Sequence, residues 1–338
     1  MTEPGPSLDD LASFGALLAA ARRAARGKLS RPSVAALMAD VERTVFGLES
    51  ALQAGTWRPS PYRTFSIRDP KPRTISAAPF ADRVVHHAIS AAIEPTLEGR
   101  FVAESYACRK GKGTHRALAR AQALCRRFAY VLKLDVHHFF ESADHGVLLE
   151  RLRPLFPEPR LFDLLRKIVE HGAPGSPPGK GLPIGSLTSQ HFANLYLDRA
   201  DHHLVDTLQV PGYVRYMDDM LLFADDRAAL WSTLGSLRRL LADELRLALR
   251  EEVTRLAPTS EGVPFLGFVV YPGVLRLRGA AVRRLRRGLR GLGSASRRGT
   301  IGEEQRTRVA ASLLGHAAFG DTLCLRRSLL AGFDHDPA

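Results

Sequence analysis

Cysteine is nearly absent from this 338-residue chain: Cys108, Cys125 and Cys324 are odd in number and scattered. That leaves no basis for a disulfide framework or a zinc cluster, and the expectation is a reduced, intracellular protein. Long apolar runs are also missing. There is no stretch of about eighteen apolar residues, no secretory signal pattern, and no lipidation signal at Met1-Thr2-Glu3, so a membrane protein is not expected. Internal repeats and low-complexity tails are lacking as well. Lysine stops at Lys180, and acid is the minority charge, with 35 Asp+Glu against 48 Lys+Arg. The formal charge of +13 implies a polyanionic partner, nucleic acid before any other.

What is present is length and pattern. A chain of this size suits two or three packed subdomains better than one ordinary domain. Apolar residues at helical spacing predict amphipathic helices over 8–25 and over about 34–52. A Pro-rich segment, Trp57 to Pro61, precedes an extended stretch from Tyr62 to Ile67 and a turn at Asp69-Pro70-Lys71-Pro72. Further helices are expected over 82–97, 114–128, 146–152, 161–169, 189–208 and 227–249, with loop from Gly172 to Gly185. Tyr130 to Val136 reads as a buried strand, Tyr213 to Phe223 as a hairpin, and Phe265–Val270 with Gly273–Leu277 as a strand pair. Two Arg-rich helical stretches follow. The irregular mixture predicts an α+β fold rather than a doubly wound sheet.

Histidine comes in adjacent pairs, His86-His87, His137-His138 and His202-His203. Neighbours diverge on a helix or a strand, which argues against a zinc or catalytic histidine site. Carboxylates carry the stronger signal. Asp135 ends the apolar run Val131-Leu132-Lys133-Leu134, and Tyr216-Met217-Asp218-Asp219 places two acids side by side at the tip of an apolar hairpin. Like charges held together ask for a cation, and oxygen donors select Mg²⁺. If the hairpin lies beside the strand of Asp135, three carboxylates converge on a two-metal site with ions about 3.5–4 Å apart.

The segments around these acids resemble, in order and approximate spacing, the reverse transcriptase family. Asp135 with Phe139-Phe140 resembles the first palm motif, and Leu182-Pro183-Ile184-Gly185-Ser186-Leu187-Thr188-Ser189-Gln190 with Ala193-Asn194 the second. Tyr216-Met217-Asp218-Asp219 resembles the third, and Phe265-Leu266-Gly267-Phe268 the primer-grip hairpin. Upstream, Lys71-Pro72-Arg73, Asp82-Arg83-Val84-Val85 and the segment Ser105 to His115 look like fingers motifs.

The resemblance implies a right-hand polymerase fold. Its parts would be a helical N-terminal segment (1–54), fingers (55–128), a palm with an antiparallel sheet and helices on one face (129–272), and a short basic helical thumb (273–338). It implies Asp135, Asp218 and Asp219 as catalytic residues, and these with Val136 as ligands of two Mg²⁺ ions, or Mn²⁺. It implies Lys71, Arg73, Arg109, Phe140, Ile184, Gly185 and Gln190 at the dNTP, with Lys112 a weaker candidate and Phe140 as the ring that excludes a 2′-hydroxyl. Gly111-Lys112-Gly113-Thr114 is not a phosphate-cradling loop of the Walker type, because the upstream glycine and the Lys-Ser/Thr pair are missing.

Ile184-Gly185 and Ser189-Gln190 depart from the group II intron and retroviral pattern, which has Gln before the glycine and commonly Ser-Pro afterwards, and resemble the enzymes of diversity-generating retroelements. That subtype implies error-prone copying of a structured template RNA, with a small basic accessory protein as partner, in a bacterial or phage-encoded cytoplasmic setting. Its nucleic-acid partners would be template RNA, primer and cDNA. A stand-alone defence or retron-type enzyme is the alternative, and a non-catalytic RNA-binding scaffold a more distant one. Where related enzymes often carry a lysine before the primer grip, this chain has Arg250-Glu251-Glu252-Val253-Thr254, leaving Arg250, Arg255 or solvent as the proton donor to pyrophosphate. Arginine hardly deprotonates and is a poor acid. Clustered arginines between Val282 and Leu330, among them Arg283, Arg284, Arg286, Arg287 and Arg290, are expected to track phosphates.

Overall fold

A computed structural model describes residues 5–68 and 72–334. From the N-terminal side, α1 (Leu8–Leu11), α2 (Phe14–Ala25), α3 (Pro32–Ala39) and α4 (Val41–Gln53) precede a hairpin of β1 (Arg63–Arg68) and β2 (Pro72–Ala77). Helices α5 (Phe80–Arg100) and α6 (Thr114–Arg127) lead to β3 (Tyr130–Asp135). Next come α7 (Phe139–Ser142), α8 (His145–Leu152), α9 (Pro159–His171) and α10 (Leu187–His202), then the hairpin β4 (Gly212–Tyr216) and β5 (Asp219–Ala224). After α11 (Arg227–Asp243) lie β6 (Arg255–Pro258), β7 (Val263–Phe265), β8 (Phe268–Val270) and β9 (Leu275–Leu277), followed by α12 (Gly279–Arg297), α13 (Glu303–Ala317) and α14 (Leu323–Asp334).

The chain forms two compact units, each discontinuous in sequence. The first takes the segments up to Arg109, Asp135–Gln209 and Leu234–Glu251; the second takes Lys110–Leu134, Val210–Thr233 and the chain from Glu252 onward. The boundary falls within β3, between Leu134 and Asp135, and within α11.

In the first unit α5 packs against α2 and α10. Its Val84, Val85, Ala88, Ile89, Ile93 and Leu97 are buried at helical spacing. Helix α10 is enclosed nearly all round: Phe192, Leu195, Tyr196, Leu197, Asn194 and Asp198 are all buried. Two of its buried polar side chains are bonded to backbone carbonyls, Asn194 Nδ2 donating to Ala107 O (2.9 Å) and Tyr196 Oη to Leu245 O (2.6 Å). Asp198 receives Arg100 Nε at 2.5 Å and Arg151 Nη2 at 3.4 Å.

The second unit holds a four-stranded sheet in the order β4-β5-β3-β6 and a three-stranded sheet β7-β8-β9. Tyr213, Val214, Met220, Leu221, Leu222 and Phe223 are all buried, which is why this hairpin reads as continuous apolar runs without alternation. Helix α6 packs on β4. Gly212 permits that approach, since a Cβ there would stand 2.9 Å from Phe223 Cβ and 3.0 Å from Phe128 Cε2.

Several expected boundaries shift. The first predicted helix is broken between Leu11 and Phe14, where Ser13 Oγ accepts the Ala16 N–H and restarts the helix as α2. The second divides at Asp40. The long helix from Arg227 ends at Asp243, short of Leu249; Arg246 stands at φ 52° with Nη1 2.8 Å from Asp144 Oδ2, and Leu249 forms an antiparallel bridge with Val136. Strand β6 was not anticipated. It pairs antiparallel with β3 in the register Tyr130↔Pro258 to Lys133↔Arg255, and its terminal proline suits an edge strand. The Arg-rich C-terminal region forms three helices, with Leu285, Leu289 and Ala317 buried together.

Candidate active site

The acidic pair sits on the β4–β5 connection. Tyr216 pairs with Asp219, so Met217 and Asp218 are the two central residues of a tight hairpin turn. Met217 takes φ 54°, a region that costs a side-chain-bearing residue about 1–3 kcal/mol and that persists only where the surroundings enforce it. Here two buried strands enforce it. Arg215, fully buried, donates from Nη1 to Met217 O (3.2 Å), and Thr114 Oγ1 meets Tyr216 Oη at 3.2 Å.

Lys133 contacts Asp219 of the pair directly. Its Nζ lies 2.9 Å from Asp219 Oδ1 and 3.1 Å from Oδ2, and it donates to Pro264 O of β7 at 2.7 Å. An ammonium on both oxygens of one carboxylate marks a place where a cation is favourable. Hard oxygen donors with adjacent negative charges also suit Mg²⁺ or Mn²⁺.

Asp135 closes β3 and is half-buried; its carbonyl accepts the Arg250 N–H at 2.8 Å. Buried Val136 follows it, bridged to Leu249. Strand β5, which opens with Asp219, lies next to β3 in the sheet. Asp135 belongs to the first unit and the Asp218-Asp219 pair to the second. Among the described residues, no three His, Cys, Asp or Glu side chains are gathered in metal-ligating geometry.

Within the first unit a cavity of about 320 Å³ brings together Arg73, Phe140 and Ile184, three of the residues implicated in nucleotide binding. The β2 strand is tied to the second motif by the Ser76 N–H donating to Ile184 O (2.8 Å). Gly185 is required beside it: φ is 110°, and a Cβ would meet Ile75 Cγ2 at 3.0 Å and Ser76 O at 3.3 Å. Behind this loop Thr188 Oγ1 lies 3.0 Å from Nδ1 of buried His86, whose pKa is pushed down to about 4 by burial. Gln190 lies in the first turns of α10, half-buried and outside the lining of the cavity. Lys71 falls outside the described residues, and Lys112, in the turn before α6, is half-buried.

Arg109, expected at the dNTP, is engaged within the fold. Its side chain is 6% exposed, its Nε lies 3.1 and 3.0 Å from the two carboxylate oxygens of Glu98, and its Nη1 donates to Val102 O (2.6 Å) and Ser105 O (2.9 Å). The guanidinium also packs over the Phe101 ring. A fork so committed clamps the loop after α5 and leaves little of itself for a triphosphate.

The primer-grip segment forms the β7–β8 turn. Phe265 pairs with Phe268, both fully buried, and the central Leu266 and Gly267 have φ 45° and 88°. Two positive φ values are the signature of a type I′ turn, whose twist matches that of the strands. Of the two arginines proposed as proton donors, Arg255 is paired with Glu261 (2.7 Å). Lys133 and Arg215 were missed by sequence reasoning. The available signal was a charged residue at an inner position of an otherwise apolar strand.

The architecture is that of a known polymerase class. A solved apo telomerase from Candida tropicalis superposes with a TM-score of 0.53 at 9% identity, over 67% of this chain and 49% of that one. Telomerase reverse transcriptases have the right-hand polymerase fold, and the mixed helix-and-sheet chain described here shares it. The family model for reverse transcriptase (RNA-dependent DNA polymerase) matches residues 67–270, well over half of the sequence. The chain belongs to the reverse transcriptase family. It is 23% identical over 263 residues to protein YkfC of Escherichia coli (strain K12), covering 65% of this chain and 69% of that one. It is also 23% identical over 167 residues to the group II intron-encoded protein LtrA of Lactococcus lactis subsp. cremoris, covering 47% of this chain and 28% of that protein.

The Arg109 assignment is testable. Arg109→Ala is expected to lower unfolding stability by on the order of 3 kcal/mol, because it leaves a partly buried Glu98 uncompensated. In the folded fraction KM for dNTP should stay within about twofold of wild type. Denaturant unfolding with steady-state kinetics checks both; a large KM rise without loss of stability would support the nucleotide-binding role instead.

Proposed function

We propose that this protein copies an RNA template into DNA by nucleotidyl transfer at Asp135, Asp218 and Asp219. The observation that carries the reading is the acidic pair on a strained turn enforced by two buried strands, in a chain of the reverse transcriptase family. In this reading Asp135, Val136, Asp218 and Asp219 hold two Mg²⁺ ions. When bound, the ions would activate the primer 3′-hydroxyl and neutralise the leaving pyrophosphate. The chain's own residues do the rest. Arg73, exposed and lining the cavity, meets phosphate oxygens. Phe140 stands as the bulky ring beneath the sugar and selects dNTPs by excluding a 2′-hydroxyl. The Leu266-Gly267 turn supports the primer.

The finer reading is an error-prone enzyme of a diversity-generating retroelement, working with a structured template RNA and a small basic accessory protein. What supports it is the place of Ile184 in the wall of the same cavity as Phe140 and Arg73. An aliphatic side chain there offers no hydrogen bond beside the nascent base pair, so selection rests on shape and stacking.

Two experiments test these readings. Primer extension on an RNA template with Mg²⁺ and dNTPs should give product with the wild type and lose roughly a thousandfold or more in Asp218→Ala, the equivalent of several kcal/mol of lost transition-state stabilisation. Equal product from both would refute the assignment. Sequencing the cDNA should show fewer errors opposite template adenine in Ile184→Gln than in wild type, and unchanged error rates would sink the low-fidelity reading.

A further inference from the structure

Lysine is sparse near the carboxylates, yet one lysine holds three strands at once. Lys133 lies on β3, two residues before Asp135 and thus on the same strand face. Its ammonium bonds both oxygens of Asp219 at the start of β5 and the carbonyl of Pro264 in β7, one residue before the primer-grip turn Phe265-Leu266-Gly267-Phe268. The side chain is 17% exposed and that of Asp219 20%, so solvent screens the pair only partly. Three N–H donors meet three oxygens, which uses the full donor capacity of the group.

Resting on the polymerase reading, we infer that Lys133 is a positioning residue: it fixes Asp219 and the primer-grip strand to a single ammonium, so that the primer terminus and the catalytic turn are held in one register. Two physical consequences follow. The same ammonium sits on oxygens that a divalent ion would otherwise take, so Lys133 limits the access of metal to Asp219. A neutral side chain at this position therefore frees the carboxylate for metal and releases the grip. Metal affinity and catalytic competence then move in opposite directions, which general destabilisation would not produce.

The test uses the full chain with Lys133→Met, Lys133→Arg, Asp219→Asn and the Lys133→Met/Asp219→Asn double variant. Primer–template affinity is read by fluorescence anisotropy in EDTA, where no chemistry occurs, and Mn²⁺ affinity by calorimetry. Lys133→Met should bind primer–template roughly tenfold more weakly and Mn²⁺ more tightly than wild type, with extension falling in kcat and KM for dNTP unchanged. Lys133→Arg, which retains the charge, should recover part of the primer–template affinity. The double variant should lose no more affinity than Lys133→Met alone, because the two residues act through one contact. Unchanged primer–template affinity in Lys133→Met, Mn²⁺ binding that weakens, or losses that add in the double variant would each overturn the proposal. If Lys133→Met fails to fold, the comparison of Asp219→Asn with Lys133→Arg decides it: weakened primer–template binding in the former with near-normal binding in the latter supports the tie, and normal binding in the former overturns it. The binding readouts need no catalysis, so a wild type that does not extend a primer would sink the polymerase reading without deciding this one.

Discussion

Two carboxylates held side by side at the tip of a buried hairpin are the constraint around which the second unit is built. Asp218 and Asp219 repel one another, and a reduced local dielectric strengthens that repulsion. The chain accepts the conflict by spending structure on it. Strands β4 and β5 are buried along both faces, Met217 is held at φ 54°, Arg215 is buried to hold the turn carbonyl, and Lys133 stands on Asp219. Each feature opposes a local preference, and together they make sense only if the acidic tip has a task.

The residues that the family resemblance singles out fall in both units. The first carries the cavity lined by Arg73, Phe140 and Ile184, and the second carries the acidic turn and the primer-grip turn. Strand β3 belongs to both, passing Lys133 on one side of the boundary and Asp135 on the other. Chain continuity through that strand makes the separation of Asp135 from Lys133 a matter of two residues, about 7 Å along an extended chain.

Much of this was legible in the sequence because it rests on local pattern. Tyr216-Met217-Asp218-Asp219 between apolar runs reads as a hairpin, and Phe265-Leu266-Gly267-Phe268 has a turn glycine at its third position. What was not legible depends on partners distant in sequence or on a single bond. Arg109 and a solvent-facing arginine are the same letter; only the fold reveals Glu98 and two carbonyls around it. Helix α11 has apolar residues spaced well enough to reach Leu249, yet it ends at Asp243; beyond it Arg246 takes φ 52° and meets Asp144, 102 residues away, and Leu249 bridges to Val136. Strand β6 is four residues ending in proline, too short to signal itself without β3 beside it. Lys133 was readable as an odd residue in an apolar strand, but its two partners lie on different strands.

The central claim, that Asp135 acts together with the Asp218-Asp219 pair on one metal site, is tested most directly by replacing Mg²⁺ with Fe²⁺ and mapping the hydroxyl-radical cuts made in the polypeptide. The account predicts cuts clustered around residue 135 and around 216–219, suppressed by excess Mg²⁺ and lost from both places in Asp218→Ala. Cuts confined to one of the two segments, or surviving at residue 135 in Asp218→Ala, would contradict it.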